Sequence, residues 1–170
     1  MYNLSADTEK SEIFKQIGSY IEENGFHVID KDDSRPWGGF FVIDETQAPE
    51  FIATFFSHLS LSDFEGYGKL SPKVLVVAPE KRLSWQYHHR RAEIWKVIGG
   101  KAGVVISDTD EETDVKVLQN GDVISLRQGE RHRLVGLQEW GIIAEIWQHT
   151  DKNHPSDEND IVRVQDDFGR

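Results

Sequence analysis

The 170-residue sequence contains no cysteine. Disulfides, thiolate metal sites and thiol nucleophiles are excluded, and any metal must be held by His, Asp, Glu or Gln. Positive charge is scarce: 19 Lys and Arg stand against 30 Asp and Glu, a formal net charge of −11. That balance argues against a general nucleic-acid or anionic-membrane surface, because those partners are themselves negative. No apolar run approaches the ~20 residues of a membrane-spanning helix. The first thirty residues are charged throughout and lack the apolar stretch of a secretion signal. These absences together give the expectation of a cytoplasmic protein with no nucleic-acid or membrane partner. What is present, 38% apolar and 11% aromatic residues, suits one domain with a real core.

Periodicity divides the chain. Ile13, Phe14, Ile17, Tyr20 and Ile21 recur at helical spacing, with Ser5 or Asp7 available as a cap and Asn24-Gly25 as a stop. Residues 1–34 therefore read as a helical extension packing on a main domain of residues 35–170. Phe40–Ile43 is a strand candidate. Within 44–72, Pro49 opens a short helix carrying Phe51, Ile52, Phe55, Phe56 and Leu59, read as a packed excursion rather than a lid. From Lys73 onward short strand candidates follow one another: Lys73–Val77, Leu83–His89, Ile94–Ile98, Ala102–Ile106, Val115–Leu118, Asp122–Leu126, His132–Val135, Ile142–Trp147 and Ile161–Val164. Turn signals such as Gly99-Gly100 and Asn120-Gly121 separate them. Many short strands with regular turns predict an all-β, antiparallel sandwich or barrel.

One strand carries chemistry. Side chains alternate across a strand, so Arg82, Ser84, Gln86 and His88 share one face, and Leu83, Trp85 and Tyr87 the other. The polar face lines a cavity or meets solvent. The apolar face suits core or pairing with a second copy, so a homodimer is expected. A short turn at Arg90–Ala92 would bring Glu93 back beside His88, and His132 begins a later strand. Gln86, His88, Glu93 and His132 form a mixed N/O donor set suited to zinc, manganese, iron or nickel, with positions left open for water or substrate.

The spacing Q-x-H-x4-E, six further residues and Gly100, then G-x5-R-x-G-x2-H, is close to the two-part signature of the cupin barrel, a double-stranded β-helix or jelly roll. Glu80 stands where that signature has its leading Gly, Gln86 its first His, Arg127 its Pro and Gly136 its Asn. The block from Arg82 to Trp95, together with Arg35-Pro36-Trp37-Gly38, Asp160-Ile161-Val162-Arg163 and the ending Asp167-Phe168-Gly169-Arg170, resembles the mannose-6-phosphate isomerase cupin. That module forms the C-terminal part of the bifunctional guanylyltransferase/isomerase family. The resemblance covers residues 35–43 and 73–170. No nucleotide-binding start accompanies it, so sugar-nucleotide synthesis is not expected.

The resemblance implies a metal-dependent aldose–ketose isomerase that takes mannose 6-phosphate to fructose 6-phosphate through an enediol. It implies a divalent metal, zinc before manganese, iron or nickel, on Gln86, His88, Glu93 and His132. Arg163 matches the arginine that would stabilise the enediolate, and Lys73 is a second candidate catalytic or phosphate-binding group. Arg82, Arg91 and Lys101 are candidates for substrate and phosphate, although Lys101 stands where the family has a small hydroxyl residue. The base stays open among Lys73, Asp160, His89 and a metal-bound hydroxide. A non-catalytic metal- or sugar-binding cupin, or a cupin epimerase, remains as the alternative. Residues 73–101 hold seven Lys and Arg against two acids, a net of +5, and the rest of the chain carries −16. That concentration of positive charge is where a phosphorylated sugar would be expected to dock.

Overall fold

Ile13, Phe14, Ile17 and Ile21 lie buried along one face of α1 (Lys10–Glu23). The computed structural model describes residues 2–64 and 69–169, so residues 65–68 of the 44–72 stretch and Arg170 of the terminal motif lie outside the described residues. Neither Ser5 nor Asp7 caps α1. Glu9 is the cap residue and makes no side-chain bond there, while the Ser5 hydroxyl donates to the Asp7 carboxylate. Gly25 ends the helix at φ +84°, a conformation that glycine adopts without steric cost.

An unexpected strand follows. β1 (Val28–Asp32) pairs antiparallel with β2 (Gly38–Ile43). Its sequence, Val-Ile-Asp-Lys-Asp, has no alternating apolar face and its central residues are exposed. Backbone pairing to β2 holds it, and its charges suit a sheet edge that must not recruit another chain. A boundary at residue 34 would thus fall inside a hairpin.

The excursion is packed. α2 (Ala48–Phe55) buries Phe51, Ile52 and Phe55, and the Phe26 ring sits 5.5 Å from that of Phe51. The Glu45 carboxylate accepts the backbone N–H groups of Leu70 (3.0 Å) and Ser71 (2.9 Å), drawing the end of the excursion back to the sheet.

The remaining strands are β3 (Lys73–Val77), β4 (Trp85–Tyr87), β5 (Arg91–Gly99), β6 (Ala102–Ser107), β7 (Lys116–Leu118), β8 (Val123–Leu126), β9 (Arg131–Gly136), β10 (Gly141–His149) and β11 (Val162–Gln165). Among the described residues they form two antiparallel sheets, ordered β1-β2-β3-β10-β5-β8 and β11-β4-β9-β6-β7. The all-β barrel expected from the strand pattern is present.

The central strands of the six-stranded sheet, β3 and β10, are buried on both faces. Val74, Val76, Ile142, Ala144 and Ile146 meet α1 and α2. Leu75, Val77, Trp95, Val97 and Ile143 meet Val104 and Leu134 of the other sheet. This is why β3 and β10 read as nearly unbroken apolar runs. Lys73 and Glu145 interrupt those runs, and both belong to the inter-sheet side.

Two departures from the cupin signature have a structural account. The end of β9 packs on the 78–81 turn, where a Cβ on Gly136 would lie 1.9 Å from the Ala78 carbonyl oxygen. Asn could not stand there. Glu80, in the place of a glycine, sits at φ +58°, in the left-handed region that costs an L-residue free energy. The two sites predict opposite signs. Glu80→Gly should stabilise the protein by up to about 1 kcal/mol. Gly136→Ala should destabilise it by about 1–3 kcal/mol. Denaturant midpoints of the two variants measure both.

Candidate metal centre

The turn between β4 and β5 is tight. It spans residues 88–90, so Arg91 already belongs to β5 rather than to the turn. The Gly129 N–H donates to the His88 carbonyl (3.0 Å), fastening this turn to the one before β9. His88 and Glu93 thereby meet His132, whose register partner in β4 is Gln86. One donor atom from each of His88, Glu93 and His132 lies within 4.8 Å of the others. All three are buried.

Backbone carbonyls orient both imidazoles. His88 Nδ1 lies 2.7 Å from the Asp160 carbonyl oxygen, and His132 Nδ1 lies 3.1 Å from that of Glu130. A carbonyl can only accept, so each Nδ1 carries the hydrogen and each Nε2 keeps its lone pair. Both Nε2 atoms lie beside one carboxylate, and that of His88 also accepts from a terminal nitrogen of Arg91 (3.3 Å). His88 Nε2 is 3.2 Å from Glu93 Oε1, and His132 Nε2 is 3.5 Å from Glu93 Oε2. Among the described residues His132 Nε2 is buried with no hydrogen-bond partner. A buried lone pair on a tautomer-fixed imidazole, beside a carboxylate, is what a divalent cation requires. The residues fit a metal.

The electrostatics agree. Burial pushes the His88 imidazole below the ordinary histidine range, so the ring is neutral. For Glu93 burial opposes ionisation, but the Arg91 guanidinium beside it helps to hold the carboxyl well below the usual range. Arg91 Nε donates to Glu93 Oε1 at 2.9 Å. The same guanidinium stacks 3.7 Å from the Trp147 ring centroid and donates to Ser156 Oγ and the Asp157 carbonyl, both at 2.9 Å. Arg91 thus joins the ligand strand to the 150–161 segment.

The cluster opens into a cavity of about 710 Å³. Ser84, Gln86, His88 and Glu93 line it, with Lys73, Arg91, Glu145 and Arg163 among the walls. The Ser84 hydroxyl donates to Gln86 Oε1 (2.9 Å), and Arg163 is the register partner of Gln86 across β4 and β11. The mouth is framed by the β1–β2 hairpin and by Glu158 and Asn159.

Two candidates lie elsewhere. Arg82 does not line the cavity. It makes a two-pronged contact with Asp167, Nε to Oδ2 at 2.6 Å and a terminal nitrogen to Oδ1 at 2.9 Å. Strand parity failed at Arg82 because β4 begins only at Trp85; Arg82 itself makes one isolated bridge to Val135. Leu83 accordingly belongs to the inter-sheet core rather than to an outer face. Trp85 is covered within the chain, its indole donating to the Asp110 carbonyl (2.8 Å). Tyr87, on the same face, stays partly exposed. Lys101 is exposed on the β5–β6 turn and lies outside the cavity. Of the seven cations in residues 73–101, Lys73 and Arg91 reach the cavity.

Sequence reasoning missed Glu145. It is buried in β10, opposite Lys73 in β3 and Trp95 in β5. The Trp95 indole donates to one of its oxygens (2.7 Å) and the Trp147 indole to the other (3.0 Å). Burial and the nearby Glu93 charge push its carboxyl up to about 8, against the pull of Lys73 and Arg91. The available signal was a lone acid inside Ile-Ile-Ala-Glu-Ile-Trp. Asp160 was weighed as a base, but its carboxylate accepts the N–H groups of His89 and Arg90 (both 3.0 Å) and the Ser156 hydroxyl (2.6 Å). It is a fixed anchor, and its carbonyl orients His88.

The family model described as mannose-6-phosphate isomerase C-terminal matches residues 60–166. The chain belongs to this family. Its curated relatives include the mannose-1-phosphate guanylyltransferase of Escherichia coli K12, 27% identical over 98% of this chain and 29% of that protein. The xanthan biosynthesis protein XanB of Xanthomonas campestris pv. campestris strain B100 is 29% identical over 80% of this chain and 23% of that protein. The chain spans under a third of the length of these relatives. Among solved structures, a mutant of Bacillus subtilis oxalate decarboxylase OxdC superposes with a TM-score of 0.56 at 16% identity, over 79% of this chain and 30% of that one. The capsular polysaccharide assembling protein CapF of Staphylococcus aureus gives 0.53 at 14%, over 80% and 34%. At such identities the likeness shows the fold, which is the cupin barrel. Among the described residues no helix of this family member is long and apolar enough to cross a membrane.

The ligand assignment predicts a specific failure. His132→Ala should lower metal retention at least tenfold, measured by elemental analysis after dialysis, while far-ultraviolet circular dichroism keeps its β signature. Unchanged metal content would mean that His132 is not a ligand.

Proposed function

We propose that this cupin is a metal-dependent sugar-phosphate isomerase that interconverts mannose 6-phosphate and fructose 6-phosphate through an enediol. The observation that carries this reading is the pair of tautomer-fixed imidazoles around the buried Glu93, opening into a cavity walled by a second buried acid and by cations. His88, Glu93 and His132, with the Gln86 carbonyl as a neutral fourth donor, would hold a divalent ion, zinc ahead of manganese, iron or nickel. When bound, that ion supplies a Lewis acid for the substrate's C1 and C2 oxygens.

The remaining work falls to side chains. Glu145 is the proton carrier that the sequence left unassigned. As carboxylate it takes the hydrogen from C2 of the aldose as a proton, and as acid it returns that proton to C1 of the enediol. Its raised proton affinity suits both halves of the cycle. Arg163 offers guanidinium N–H groups to the enediolate oxygen, where charge develops. Lys73 seats the phosphate. Trp147 and Phe40, whose rings flank Lys73, keep water from this wall.

Metal removal tests the reading first. Chelation should abolish isomerisation of mannose 6-phosphate in a coupled assay, and zinc should restore it. Metal-loaded protein that turns over neither mannose 6-phosphate nor fructose 6-phosphate would leave a non-catalytic binding cupin. The pH profile tests Glu145. Because the base must be ionised, kcat/KM should rise with pH as Glu145 loses its proton, with an inflection no higher than about 8. A cation beside Glu93 offsets the like-charge cause and moves that inflection down. Glu145→Gln should remove the limb and lower kcat by about 10²–10⁴.

A further inference from the structure

We propose that Glu158 is an internal counter-ion seated on Lys73, which the phosphate monoester of an incoming substrate must displace. The inference rests on the isomerase reading, in which a phosphorylated sugar enters this cavity.

The pair is asymmetric. The Lys73 side chain is 7% exposed, whereas its partner Glu158 is 69% exposed. Lys73 projects from β3 into the cavity with its ammonium 4.3 Å from the Trp147 ring centroid and 5.4 Å from that of Phe40. Such a cation cannot return to bulk water without losing this cradle, and a buried charge without a partner is costly. Glu158 can leave. Its carboxylate gains little from an ion pair that it can exchange for water.

The surrounding backbone lets the side chain move alone. Asp157 accepts the Asn159 N–H (2.9 Å) and the Asp160 N–H (3.1 Å). Asp160 is fastened to the β4–β5 turn through the N–H groups of His89 and Arg90. Glu158 thus stands on a turn fixed on both sides.

A second cation of the cavity wall is engaged differently. Arg91 stacks on Trp147 and is committed to Glu93, Ser156 and the Asp157 carbonyl. Lys73 is the cation in this wall whose counter-ion comes from an exposed segment. A phosphate monoester carries close to two negative charges at neutral pH and offers three acceptor oxygens. It outcompetes a single carboxylate for Lys73. A sugar hydroxyl cannot, so a neutral sugar meets a filled seat.

Isothermal titration of the metal-loaded full chain with inorganic phosphate, mannose 6-phosphate and mannose tests this. Glu158→Gln should tighten inorganic phosphate and mannose 6-phosphate by about tenfold and leave mannose unchanged. In a Lys73→Met background, or Lys73→Gln should the first variant fold poorly, Glu158→Gln should have no effect. Unchanged phosphate affinity in Glu158→Gln would overturn the proposal, as would tightening that persists without Lys73. Comparing the phosphate and mannose 6-phosphate arms shows whether the seat reads the anion alone or the sugar phosphate. The binding readout is independent of turnover. Tightened mannose 6-phosphate without isomerisation would sink the isomerase reading and keep the counter-ion. Isomerisation with unchanged binding in Glu158→Gln would do the reverse.

Discussion

A carboxylate taken out of water must be met by positive charge or by hydrogen bonds, and Glu93 sets that demand at the centre of this barrel. Arg91 answers it from the same strand, two residues away. His88 and His132 bring their Nε2 lone pairs beside it, each ring held by a carbonyl that decides which nitrogen faces inward, and a shared cation would satisfy all three groups. The obligation spreads outward. Asp160 must stay where its carbonyl meets His88, so its carboxylate is fixed by two backbone N–H groups and a hydroxyl. The 150–161 segment is irregular in conformation yet tied to the ligand strand, because the buried acid requires it.

The helices contribute by covering the sheet's far side. With α1 and α2 on the outer face, β3 and β10 can be apolar outward and carry Lys73 and Glu145 inward. A sheet exposed on one side would place its polar residues toward solvent. Here the polar side chains of these central strands face a cavity instead, and their ionisation is governed by one another. Glu145 holds its proton more tightly because it is buried and Glu93 is close. The two acids are pushed in opposite directions by their surroundings, which would suit one to hold a cation and the other to carry a proton.

Much of the barrel was legible because short strands between glycine turns leave a strong local signature. The cluster of His88, Glu93 and His132 was legible because these residues, with Gln86, sit at recognisable intervals. β1 was not, since five residues held by backbone pairing show no side-chain pattern. Arg82 was misplaced because alternation holds only within a continuous strand, and β4 begins three residues later. Lys101 was chosen for charge and neighbourhood in sequence, neither of which reports direction. Glu145 escaped because a single acid in an apolar run carries no motif. Its meaning depends on Lys73, Trp95 and Trp147, which only the sheet register brings beside it. The concentration of positive charge in residues 73–101 was real in sequence but dispersed in space.

The β1–β2 hairpin carries a last consequence. The stretch shared with the family model begins at residue 60, yet the mouth of the cavity is framed in part by residues 30–35. The floor that carries the His88, Glu93 and His132 cluster and the doorway therefore come from different portions of the chain. Floor residues are constrained by the ion they would hold, whereas doorway residues answer only to what passes. Exchanging the hairpin between relatives would be a route to new substrate ranges on an unchanged chemical centre.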